Sequence, residues 1–291
     1  MSSVRVQAPA TSANLGPGFD CAGMALGLWN ELEVAEADDT VVEVEGEGAS
    51  GTPRDGNHLG LRAFSLVASV DGKRFTFVNR IPFARGLGSS SATIALGLVA
   101  ACLCEGVEPD PAELLPLAAR LEPHADNLAA CLYGGVTLSW EEEGRWQAYQ
   151  VAATLPLVPI AVVPEHSVET VTSRAGLPES LLHADAVYSS GRAVLLGAGL
   201  AGGDAQLLAA AFHDRLHEPY RSAAAPLLAE LQEKPPRGSV GITLSGSGPT
   251  VIVWTSREET DACAGELNGR FAECEVLVLP IAPAGAGRIP G

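Results

Sequence analysis

The stretch Ile81-Pro-Phe-Ala-Arg-Gly-Leu-Gly-Ser-Ser-Ser-Ala-Thr93 decides how this chain is read. Gly86 and Gly88 let the backbone curl. Ser89, Ser90 and Ser91 then open onto the run Ala92–Cys104, apolar enough for a buried helix. A helix N-terminus presents unpaired N–H groups and about half a positive charge, so a Gly/Ser loop feeding one is a ready phosphate site. Serine hydroxyls can add hydrogen bonds or metal ligation. A capped core helix after a tight turn would account for one serine and one glycine, but not for the run. The chain has only two lysines, Lys73 in Asp-Gly-Lys-Arg-Phe and Lys234 in Glu-Lys-Pro-Pro, both in turn-like contexts. Their placement argues against a Walker P-loop, a kinase strand lysine and a pyridoxal Schiff base, each of which needs a placed lysine. Phosphate charge at this loop is therefore left to backbone amides, a metal ion and Arg85.

Outward from that loop, strand-like and helical patterns alternate. Val4–Ala8 reads as a strand entering a polar Gly/Pro loop at Pro9–Gly18. Residues 26–48 alternate like strands, Asn57–Val70 has helical spacing, and Phe75–Asn79 is a short strand. Pro111–Leu121 is helical, and Gly134–Trp140 with Arg145–Val151 forms a hairpin. The second half has strands at Pro156–Val163, Ile242–Leu244, Thr250–Thr255 and Glu275–Ile281. Its helices fall at Ala184–Gly199, Ala205–Phe212, Ser222–Gln232 and Glu258–Phe271. Strands and helices intermix in both halves, so the class is α+β. The domains are expected at 1–155 and 156–291, the first carrying the phosphate loop.

Composition narrows the partners. The 291 residues carry 18 basic against 35 acidic side chains, a formal charge of −17, which argues against a nucleic-acid binder that must neutralise phosphates. No apolar run reaches the roughly 20 residues of a spanning helix, and Met1–Ala10 has no signal-type apolar segment. A cytoplasmic protein with no membrane partner is expected. Its six cysteines, without a CxxC pair, read as reduced thiols. Two decoys fail on context. Gly46-Glu-Gly-Ala-Ser-Gly51 matches G-x-G-x-x-G, but Thr52-Pro53 follows and no apolar helix opens. His213 and His217 stand four apart without a third ligand, so they read as ordinary surface or core histidines.

Several motifs carry a family resemblance. Pro82–Ala92 has the form P-x-x-x-G-L-G-S-S-x-A. Ala8-Pro-Ala-Thr-Ser-Ala-Asn-Leu-Gly-Pro-Gly-Phe-Asp20 precedes it and Leu244-Ser-Gly-Ser-Gly-Pro-Thr250 follows. In this order they resemble the GHMP kinases. Leu121-Glu-Pro-His-Ala-Asp-Asn-Leu128 and Asp214-Arg-Leu-His-Glu-Pro-Tyr-Arg221, with the N-terminal motif, resemble the homoserine kinase branch. The likeness runs from residue 4 to about 255. It implies a two-domain GHMP kinase fold: an N-terminal α+β domain with a left-handed β-α-β unit, and a C-terminal ferredoxin-like domain.

The resemblance also implies roles. ATP is expected over Asn57 and the loop Pro82, Phe83, Ala84, Arg85, Gly86, Leu87, Gly88, Ser89, Ser90, Ser91 and Ala92. Mg2+ is expected on Ser90 and Glu122, with Ser89 or Ser91 as alternatives to Ser90. L-homoserine, the acceptor alcohol, is expected between Arg174 and Arg221 at its carboxylate and Asn14 and Asp20 at its amine, with Thr170, His124 and Asn127 nearby. Asp126 corresponds to the aspartate base of related kinases, while Asn127 orients the hydroxyl. The second Gly/Ser loop, Ser245–Gly248, is expected to pack against the phosphate loop, and a homodimer is implied. The chain departs from the pattern at Pro123 (usually Gly), Ala125 (often Pro), Glu169 (Ser) and Ser173 (Ala). A kinase for another small alcohol, of the shikimate or mevalonate-pathway type, and a non-catalytic nucleotide sensor on the same fold are the alternative readings.

Overall fold

The computed structural model describes residues 3–167, 170–221 and 225–289; the side chains of residues 170–172 lie outside the description. Strand β1 (Val4–Ala13) pairs antiparallel with the long β2 (Ala22–Glu36). It runs five residues beyond its expected end at Ala8. The register shifts between Pro9 and Ala10, an irregularity of the kind that tolerates a proline without an N–H. Strand β3 (Val41–Gly46) pairs in parallel with β4 (Lys73–Asn79), and helix α1 (Leu59–Phe64) lies in the crossover between them. A parallel pair requires such a connection, so this is the β-α-β unit. Gly46–Gly51 is a turn at its start.

Helix α2 (Ser89–Cys104) is buried on nearly every side, as expected of a helix apolar all round that is packed between a sheet and other helices. It starts three residues before the apolar run, so the three serines form its first turn. Helices α3 (Pro111–Ala118) and α4 (Ala125–Tyr133) lead to the hairpin β5 (Val136–Glu142) and β6 (Arg145–Ala152), which joins the first sheet through β2. Helix α4 is not among the helices expected from sequence; its nine residues begin inside the motif Leu121–Leu128.

A second sheet begins at β7 (Leu157–Pro164). Helices α5 (Thr170–Ala175), α6 (His183–Gly202), α7 (Ala205–Ala211), α8 (Glu218–Arg221) and α9 (Pro226–Glu233) follow. Then come β8 (Ser239–Leu244), β9 (Val251–Ser256), α10 (Thr260–Arg270) and β10 (Cys274–Val278). The sheet order is β10-β7-β9-β8 with every pair antiparallel, the arrangement of a ferredoxin-like domain. Its two faces alternate with period two. Ile160, Val162, Val251 and Val253 pack with Leu231, Leu267 and Phe271 in one cluster, while Ala161, Val163, Ile252 and Trp254 join the core of the first sheet. The chain then returns: β11 (Gly287–Arg288) pairs with β1, and Ile281 bridges Leu26. One face of the second sheet thus joins the apolar core of the first, the other closes a core of its own, and loops of both layers meet over the N-terminus of α2.

Candidate active site

Where the two sheets face each other, a cleft of about 410 Å³ opens. Its floor is the loop Phe83–Ser90, and its walls include Asn14, Asp20, Glu122, His124, Asp126, Asn127, Arg174, Arg221 and Gly246–Gly248. Buried Asn30 on β2 sets where the loop begins, because its Oδ1 accepts from both Arg80 N and Ile81 N, at 2.7 and 2.9 Å. Gly88 ends the loop as N-cap of α2, with φ 68° and no side chain capping the helix. The first N–H groups of a 16-residue helix thus face the cleft without a side-chain cap, which suits an anion. A Cβ on Gly88 would lie 1.8 Å from Thr11 Oγ1, and one on Gly86 2.5 Å from the Ser245 carbonyl oxygen. Only glycine lets the loop come this close to its neighbours.

The second Gly/Ser loop packs against the first. Ser245 Oγ donates to Gly86 O at 2.6 Å and lies 2.9 Å from Ser12 Oγ, while Thr250 N donates to Arg85 O at 3.3 Å. Gly246 O accepts from Asn14 Nδ2 at 3.0 Å and from Arg221 Nη1 at 2.9 Å. Residues of the first motif and of α8 therefore meet at a single carbonyl.

Glu122 Oε2 accepts from Ser90 Oγ at 2.9 Å and from Ser91 Oγ at 3.3 Å. Burial separates the three serines: Ser91 is turned into the core, while Ser90 is open to the cleft. Burial also raises the Glu122 carboxyl pKa, against the two hydroxyl hydrogen bonds that lower it. An exposed hydroxyl beside a carboxylate is a hard-oxygen set of the kind Mg2+ takes, completed elsewhere by water and phosphate oxygens. The residues present fit that ion.

Asp126 is almost fully buried at the start of α4, and burial pushes its carboxyl up to about 7. Its Oδ1 accepts from Asn127 N at 2.7 Å. Thr11 Oγ1 donates to Asn127 Oδ1 at 2.7 Å, and the Asn127 NH2 gives one hydrogen to Asp126 Oδ1 at 3.4 Å, which leaves the other as a donor. At the other wall, Arg174 holds Asp20 through two hydrogen bonds, at 2.6 and 3.0 Å, across 154 residues of sequence. Arg221 is buried, yet its Nε has no partner, and the same holds for Arg174 Nε. Burial lowers the Arg221 pKa, with Arg174 adding to the effect. Burial likewise lowers His124, with the two arginines adding to it. Two guanidinium groups lining one cleft, one buried and one half-buried, suit a carboxylate.

The cleft thus gathers most of the residues named from sequence. Asn57 is not among them: it is exposed and its N and Nδ2 turn to Asp55. Pro82, Ser91 and Ala92 are buried behind the loop rather than lining the cleft. Thr170 opens α5, and its side chain lies outside the described residues. Sequence reasoning missed Thr11, Ser12 and Phe19, although all three stand in the first motif. It also passed over His217. Asn14, Leu15 and Asp20 take positive φ values of 73°, 47° and 55°, a concentration of unfavourable backbone typical of functional loops.

The family model for the GHMP kinase N-terminal domain matches residues 58–135. A homoserine kinase of Streptomyces coelicolor is 44% identical over 269 residues, covering 89% of this chain and 87% of the relative. One from Moorella thermoacetica is 37% identical and covers 98% of each chain. The crystal structure of homoserine kinase from Cytophaga hutchinsonii superposes with a TM-score of 0.86 at 28% identity, over 99% of this chain and 98% of that one. A mevalonate kinase structure, at 13% identity and a TM-score of 0.70, shares the fold alone. Similarity this high along nearly the whole of both chains is shared descent, and the chain belongs to the homoserine kinase family of the GHMP kinases.

Proposed function

We propose that this protein phosphorylates the side-chain hydroxyl of L-homoserine with ATP, giving O-phospho-L-homoserine and ADP, a step toward threonine. The observation that carries this reading is the meeting of an uncapped helix N-terminus, a Ser–Glu oxygen pair and two arginines, one buried and one half-buried, with an aspartate in one cleft. The first suits phosphates and the last suits an amino acid. The names of the relatives agree.

In this reading the loop Phe83–Ser90 and the first turn of α2 hold the ATP phosphates through backbone N–H groups. Ser90 and Glu122 would hold Mg2+, which when bound offsets phosphate charge. Asp20 and Arg174 pair with each other in the structure. A zwitterionic substrate entering between them gives each a new partner: its ammonium faces Asp20 and Asn14, and its carboxylate faces Arg174 and Arg221. The substrate hydroxyl oxygen attacks the γ-phosphorus in line as the bond to the ADP oxygen breaks. Asn127, held by Thr11, orients that hydroxyl through its NH2 group. Asp126, whose carboxyl burial pushes up to about 7, takes the proton in its ionised form. Phosphoryl transfer depends mainly on such positioning and charge stabilisation.

The test is ADP release with Mg-ATP and L-homoserine, L-serine, L-threonine, shikimate, mevalonate or galactose, with phosphorus NMR of the product. Homoserine-dependent release with a phosphomonoester is expected. Faster turnover of another alcohol would overturn the acceptor, and ATP binding without turnover would favour a sensor. We also propose a cytoplasmic homodimer, which light scattering checks as twice the chain mass. Among the described residues no helix is long and apolar enough to cross a membrane.

A further inference from the structure

His217 is completely buried just before α8, between the loop that carries Asn14 and Asp20 and the arginine four residues further on. Its Nε2 lies 2.8 Å from Gly16 O. A carbonyl can only accept, so Nε2 carries the proton. In the neutral ring Nδ1 is then a bare acceptor, and it takes a hydrogen bond from Arg221 Nη1 at 3.2 Å. The same Nη1 donates to Gly246 O, so both of its hydrogens are engaged and the guanidinium is held in place. The ring also stacks on Phe19, with centroids 4.8 Å apart and planes 19° apart, and Phe19 lies under the guanidinium groups of Arg174 and Arg221 at 5.4 and 5.3 Å. Asp214 fixes the backbone beneath by accepting from His217 N at 2.7 Å and Glu218 N at 2.9 Å.

We propose that His217 is a positioning residue for substrate choice: one imidazole ties Arg221 to the Gly16 loop and so sets the distance between the two ends at which the amino-acid zwitterion is held. It touches neither ATP nor the transferred phosphoryl group. The inference rests on the reading of Arg221 and Asp20 as the substrate's partners.

Two substitutions separate the two hydrogen bonds. In His217→Gln the amide nitrogen replaces Nε2 and the acceptor for Arg221 is lost. In His217→Asn the amide oxygen replaces Nδ1 and the donor to Gly16 is lost. The readout is kcat/KM for L-homoserine against 3-amino-1-propanol, which lacks the carboxylate, and against 4-hydroxybutyrate, which lacks the amine. His217→Gln is expected to cut the preference for homoserine over the aminopropanol by about tenfold, the size of one hydrogen bond to a charged group. His217→Asn is expected to cut the preference over hydroxybutyrate similarly, with KM for ATP within about twofold of wild type in both variants. Unchanged preferences in both variants, or equal shifts for homoserine and ATP, would reduce His217 to a core residue and overturn the proposal. Arg221→Ala serves as the control: if it leaves KM for homoserine unaltered, it is the assignment of Arg221 that fails.

Discussion

Glu122 shows how far a single side chain can be argued. It accepts from two serine hydroxyls, and burial opposes its ionisation. If it helps hold a cation at the transferred phosphate, Glu122→Gln keeps the shape and loses the charge. Turnover should then fall by about 100-fold or more, in line with roughly 2.7–4 kcal/mol for losing one transition-state stabiliser. Near-normal kcat in that variant would remove Glu122 from the site. Asp126 gives a pH test. Its carboxyl titrates at about 7, and only the ionised form takes a proton, so kcat should rise through about pH 7 and then level off. Asp126→Asn should be slow and flat over that range; a retained rise would assign the titration elsewhere.

Helix α2 and its loop act as a unit. The helix begins where Gly88, in the left-handed region, turns the chain under Thr11, so the anion-facing end depends on one backbone conformation. Gly88→Ala would put a Cβ 1.8 Å from Thr11 Oγ1. It would also hold alanine at positive φ, at about 1–2 kcal/mol before any clash. Thr11 would have to move, and with it the hydrogen bond to Asn127. A lower melting temperature and a raised KM for ATP are expected together. If ATP affinity survives a measurable drop in stability, the loop is not what holds the nucleotide. The sequence showed this element clearly, because glycines, serines and an apolar run stand next to one another. Helix α4 is short, nine residues, and its place is set by contacts with β1, β2 and β5.

Buried ionisable groups tie the stability of the whole molecule to pH. Burial lowers His58 and His217 to about 4 and raises Asp126 to about 7 and Glu218 to about 8. Below the usual histidine pKa the unfolded chain takes protons that the folded histidines refuse, so these two groups favour folding less as pH falls from about 6.5 to 4. The carboxyls have the opposite sign. Folded, they keep protons that the unfolded chain has already lost, so stability falls as pH rises toward 8. Between about 4.5 and 6.5 the two pairs offset each other, and above that range only the carboxyls act. Melting temperature should therefore decline from pH 6.5 to 8. In Glu218→Gln, whose amide oxygen can still accept from Leu244 N, the decline should be shallower. An unchanged slope would show that Glu218 is not buried with its proton.

Residue spacing alone was enough for the phosphate loop, the α+β class and the exclusion of lysine-based chemistry, because those depend on neighbours in the chain. The motifs also named the ends of an amino-acid site. That Asp20 and Arg174 meet across 154 residues, that Ser90 rather than Ser91 faces the cleft, and that Asn57 turns away toward Asp55 follow from how two sheets pack and where their loops converge. The same holds for His217, an unremarkable core histidine by spacing, which folding places between Gly16 and Arg221. Local sequence sets which chemistry each segment can offer, but distances between segments are fixed by strand pairing and core packing, which depend on the whole chain at once.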